Sequence, residues 1–152
     1  QSREEEKANV ITHALGLLFC VCATPFALWK SYQPGNMKYF YATIVFGMGM
    51  LLVYFFSSTY HYVKSPKAKA VMRKLDHISI YFLIAGTYTP LMIRYLPHET
   101  AMVFLMAMWI IVALGVLYKI FFFPRSSSNQ NTIYIWYLAN FSYVFYFYAS
   151  AI

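Results

Sequence analysis

Five long apolar runs constrain this chain more than any other feature of its sequence. They cover about residues 10–29, 39–61, 77–95, 101–123 and 132–152. A helix needs about 20 predominantly apolar residues to cross the hydrocarbon core of a bilayer. Any one run could be a buried helix of a soluble protein, but five in one short chain leave too few polar positions for a wet surface. Only 11% of the residues are charged, where a soluble domain carries about 25%. The runs are longer than strands and do not alternate apolar with polar positions. The expected architecture is therefore all-α: a single domain over residues 1–152, built as a polytopic transmembrane helix bundle.

The connections support this division. "KSYQPGNMK" contains a Pro-Gly turn signal, "KSPKAKAVMRK" is strongly basic, "RYLPHET" is short, and "PRSSSNQN" is polar and Ser-rich. Basic residues prefer the cytoplasmic side of a membrane. With the N-terminus inside, the inner segments hold Arg3, Lys7, Lys64, Lys67, Lys69, Arg73, Lys74, Lys119 and Arg125, while the outer ones hold Lys30, Lys38 and Arg94. This imbalance predicts a cytoplasmic N-terminus. The net charge of +7 is accounted for by membrane orientation, and no nucleic-acid partner is expected, because the cations sit between apolar runs and not along one exposed face. Cys20 and Cys22 lie inside one apolar run and read as small apolar packers. The opening "QSREEEKAN" lacks the basic start of a cleavable signal and an initiator methionine, so an upstream start is expected.

The polar residues inside or beside these runs are few, and they gather at one end. Ser57 and His61, four apart, share a helix face at the cytoplasmic end of the second run. Asp76 and His77 open the third run at the same level. In "EEEKANVITHALG", Glu5, Asn9 and His13 recur every four residues and enter from the same side. Each has an ordinary explanation: Asp76 as a helix cap, the histidines as interfacial residues, Ser57 bonded back to its own helix. Their convergence from three helix ends argues for more, since ionisable groups within a span are costly and usually face the bundle interior. Together they suit metal-assisted hydrolysis, with imidazole as zinc ligand, aspartate as proton acceptor and serine steadying an oxyanion or water. His98 falls in the opposite loop beside Glu99 and reads as solvated.

"EEEKANVITHALG", "SSTYHY" and "LDHISIYFLIAGTYTP" resemble the hemolysin III family, relatives of the adiponectin and progestin receptors and of alkaline ceramidase-like membrane hydrolases. The resemblance runs in order from about Glu5 to about Arg125 and weakens beyond. It implies a seven-helix multi-pass protein with a cytoplasmic N-terminus, in a bacterial plasma membrane, and a zinc site near the cytoplasmic face. By motif position it makes His61 a zinc ligand and Ser57 and Asp76 the catalytic residues; Glu5, Asn9, His13 and His77 are candidate supporting groups. The family's last helix carries a His-x-x-x-His pair, but no histidine follows His98 here. The expectation is a five-span chain, truncated before the last two helices, with an incomplete zinc site.

Three functions compete at this point. The first is a zinc-dependent hydrolase of amide-linked, ceramide-like membrane lipid, or a role in membrane lipid homeostasis. The second is a pore-forming, cytolytic protein, as the family name suggests. The third is a receptor-like membrane protein without turnover. Membrane lipids are the expected partners; substrate and oligomeric state are not encoded legibly.

Overall fold

The computed structural model describes residues 2–122 and arranges them as four α-helices, α1 (Arg3–Tyr32), α2 (Met37–Tyr62), α3 (Pro66–Tyr95) and α4 (His98–Phe122). Local chemistry sets the boundaries. Ser2 and Glu5 close a reciprocal capping box at the start of α1: the Glu5 amide donates to the Ser2 hydroxyl at 3.2 Å, and the Ser2 amide to the Glu5 carboxylate at 2.8 Å. The "QPGN" turn ends α1 through Gly35, whose φ of 72° lies in the left-handed region that glycine enters without strain. Asn36 then caps α2 by accepting from the Lys38 amide.

α3 begins eleven residues before the apolar run expected at residue 77. Pro66 occupies its first turn, where the missing N–H costs nothing. The following "KAKAVMRK" is made largely of good helix formers. The basic stretch is thus mostly helix, and only residues 63–65 connect α2 to α3.

The helices pack in series, α1 on α2, α2 on α3 and α3 on α4. The α2–α3 contact is the closest. A Cβ added at Gly49 would lie 3.0 Å from both Leu83 Cα and Phe82 O, and one added at Gly86 would lie 3.0 Å from Val45 O. These two glycines let the backbones meet and fix the register that carries Ser57 towards Asp76. On α4 the buried positions are Ala101, Leu105, Met108, Val112, Gly115 and Lys119, spaced alternately by four and three. That is the seam spacing of closely packed helices. It faces Tyr81, Ala85, Met92 and Leu96.

α1, α2 and α4 are long and apolar enough to cross a membrane. Their outer faces expose large apolar side chains such as Phe19, Met48 and Leu114. The third expected span, residues 77–95, lies within α3, whose apolarity is diluted by Ser79, Thr87, Tyr88 and Thr89. The hydroxyls of Ser79, Thr87 and Thr89 donate to carbonyls of Asp76, Leu83 and Ala85 in their own helix, satisfying themselves away from water. The fifth expected span, residues 132–152, lies outside the described residues.

Candidate site at one end of the helix bundle

α1 enters this end with its N-terminus, α2 leaves with its C-terminus, and α3 runs past it with its first three turns. The inward stripe of α1 is Glu6, Asn9, Val10, His13, Gly16, Leu17 and Cys20. Glu6, not Glu5, therefore meets the neighbouring helices. Its carboxylate accepts from Nδ1 of His61 at 2.9 Å and from Nζ of Lys69 at 2.7 Å, tying α1 to α2 and α3. Those bonds, Lys69 first and His61 second, hold the Glu6 carboxyl below the usual glutamate range.

The tautomer of the neutral His61 ring that donates from Nδ1 to the Glu6 carboxylate leaves the Nε2 lone pair open. Carboxylate-oriented imidazole is the arrangement found behind metal-ligating histidines. The side chain of His61 is 9% exposed. His13 stacks beside it, ring centroids 5.8 Å apart and planes within 14°. Nδ1 of His13 is buried with no hydrogen-bond partner among the described residues, which is unusual for a buried polar atom.

Ser57 is buried at 5% exposure, and Asp76 has Ser57, His61 and His13 as side-chain neighbours. Asp76 is not a helix cap. Ten residues of α3 precede it, so the ordinary explanation of an acid at a helix start does not apply. Ser57, His61, Asp76 and His13 are thus brought to one place, with Asn9 on the same inward stripe.

Two expected supporting residues stand elsewhere. Glu5 is exposed and occupied in the capping box. His77 has Lys119 of α4 and Arg73 of its own helix as charged neighbours, and so belongs to the α3–α4 contact. Glu6 and the buried Lys119 were not singled out by spacing. A phase count at 3.6 residues per turn would have found the first. The second sits on the four-three seam of α4.

The described residues contain no group of three His, Cys, Asp or Glu side chains that could hold a metal ion. Residues 123–152 add none of these residue types. Catalytic zinc takes three protein ligands and keeps one open position. One oriented imidazole and a stacked neighbour do not make that set, so the residues present do not fit a complete zinc centre.

Fold and site together define a multi-helix integral membrane protein with a polar, histidine-containing cluster at one end. The sequence model of the haemolysin-III related family matches residues 1–152, extending past Arg125, where the motif resemblance weakens. Hemolysin-3 of Bacillus cereus is 34% identical over 132 residues, covering 87% of this chain and 60% of its own length. The Hemolysin-3 homolog of Bacillus subtilis (strain 168) is 33% identical over 132 residues, covering 87% of this chain and 62% of its own length. No solved structure matches. The chain belongs to the haemolysin III family, and it spans about three fifths of the length of these curated relatives.

Proposed function

We propose that this chain carries the first part of a membrane-embedded hydrolytic centre acting where the polar and apolar parts of a lipid meet, on an amide-linked, ceramide-like substrate. The observation that carries the reading is the convergence of Ser57, His61 and Asp76 from α2 and α3, with the Nδ1 of His61 held by Glu6. In this reading Asp76 accepts the proton of the attacking water, and Ser57 holds the carboxylate in place. Such proton transfer contributes typically 10²–10⁴-fold to a rate. His61 presents Nε2 as the one prepared ligand for zinc, and the family's His-x-x-x-His pair would complete the donor set in a longer chain.

The cluster faces the cytoplasm in this proposal, following nine of the twelve basic residues. In this proposal the chain is a multi-pass protein of a bacterial plasma membrane, with α3 supplying a span beside those of α1, α2 and α4. The test is a version extended to the length of the Bacillus relatives, assayed for bound zinc and for fatty acid released from ceramide. Zinc near one per chain, lost in His61→Ala, and release reduced at least 100-fold in Asp76→Asn are expected. A metal-free, inactive extended protein would refute the reading.

The name of the Bacillus relatives, Hemolysin-3, favours a second reading as a membrane-lysing protein. Dye leakage from liposomes, unchanged by Asp76→Asn, would support that reading in place of hydrolysis.

A further inference from the structure

Beside the polar cluster, a cleft of about 680 Å³ opens between the first turns of α1 and the short turn joining α2 to α3. Its volume is within the range of small-ligand sites. Four cations line it, Arg3 and Lys7 from α1, Lys64 from the turn and Lys69 from α3, against one carboxylate, Glu6. That carboxylate is already bonded to Lys69 and His61, and Lys7 pairs with Glu4 outside the lining. Arg3 and Lys64 have no ion-pair partner among the described residues. They come from opposite sides of the cleft, 61 positions apart in sequence, so the fold has assembled a positive mouth that neither segment possesses alone.

The cleft also has an apolar side. Val10, Ile11 and Val63 contribute to its lining. Ile11 is 60% exposed and begins an outer stripe that continues along α1 through Leu15 and Leu18, each 61% exposed. Residues at i, i+4 and i+7 share one face of a helix, so the stripe leads from the cationic mouth along the membrane-facing surface. A free anion would use only the mouth. An amphiphile with an anionic head and acyl chains would use both.

We propose that this cleft binds an anionic phospholipid, its phosphate between Arg3 and Lys64 and an acyl chain along Ile11, Leu15 and Leu18. His61 and Glu6 also line the cleft, so it adjoins the proposed hydrolytic centre. The proposal does not depend on that reading, since the phosphate contacts, Arg3 and Lys64, take no part in it. An Arg or Lys near an anionic membrane surface contributes the equivalent of about a fivefold change in affinity.

The test uses the full chain in neutral detergent, with bound lipid counted by native mass spectrometry and binding followed by thermal stabilisation. Dihexanoyl-phosphatidylglycerol, dihexanoyl-phosphatidylcholine and inorganic phosphate are the probes. Saturable binding of the phosphatidylglycerol, at least fivefold tighter than either other probe, is expected. Arg3→Gln and Lys64→Gln should each weaken it about fivefold, and the pair more than either alone. Lys38→Gln, at the opposite end of the bundle, should leave it unchanged, and Arg3→Lys should retain most of it. Equal binding of phosphatidylcholine, inorganic phosphate binding as tightly as the lipid, or an unaltered double variant would each overturn the proposal.

Discussion

Glu5 and Glu6 are neighbours with unrelated tasks, and helix geometry separates them. Counting back from His13 by fours reaches Asn9 and Glu5, but eight residues turn the helix by about 800°, some 80° past two full turns. Seven residues turn it about 700°, within about 20° of closure, so Glu6 stands on the face of His13. The error grows with each turn counted, which is why Asn9 keeps its face and Glu5 does not. Because Lys69 and His61 hold the Glu6 carboxyl below its usual range, its contribution to stability is complete above the unfolded glutamate pKa of about 4.3. That contribution is lost as pH falls through the lower folded value. Thermal unfolding of Glu6→Gln against the parent in detergent should show a deficit of about 1 kcal/mol at pH 7, as befits a partly exposed charged hydrogen bond. The deficit should shrink at pH values below about 4. A deficit independent of pH would mean that Glu6 acts through packing and not through its charge.

At the scale of elements, α3 is where sequence and structure diverge most. Apolar runs announce helices readily, because lipid exposure leaves a continuous signal. A basic segment such as "KSPKAKAVMRK" carries a charge signal that resembles a loop, and its helical propensity is legible only residue by residue. The consequence is testable at Ala70, an exposed position in this segment. Ala70→Gly should cost about 1 kcal/mol if the segment is helix and nothing measurable if it is a loop. The α2–α3 register was equally hidden, since no pattern in either run says that Gly49 and Gly86 meet backbone. Gly49→Ala and Gly86→Ala each force a methyl to 3.0 Å from main-chain atoms, an overpacking worth about 1–3 kcal/mol. Gly115→Ala is the control, because its methyl would meet the Tyr81 ring at an ordinary 3.6 Å. Comparable losses in all three would show that backbone contact does not govern the effect, since helix propensity alone would favour alanine at each position.

For the whole molecule, the turns alternate between two ends: residues 33–36 and 96–97 lie at one, residues 63–65 at the other with the start of α1. With Cys20 and Cys22 replaced by alanine, single cysteines at Gln33 and Lys64 should react oppositely with an impermeant maleimide. The cytoplasmic placement predicts labelling at 33 in intact cells and at 64 only after lysis. Labelling at 64 in intact cells would invert that orientation while leaving the helix arrangement untouched. The sequence made the class of molecule and the gathering of Ser57, His61, Asp76 and His13 legible, because both rest on composition and short-range spacing, while Glu5 and His77 stand elsewhere. It could not reveal the cleft or the Glu6 bridge, whose parts are contributed by segments more than fifty residues apart.

That separation has a consequence for biosynthesis. When α1 leaves the ribosome, the partners of Glu6 do not yet exist; His61 is 55 residues behind it and Lys69 is 63. The carboxylate must wait in the wet interfacial layer until α2 has crossed and α3 has begun. The three-way bond is therefore a latch that closes late, and nascent chains stalled before Lys69 should leave the amino-terminal segment open to protease.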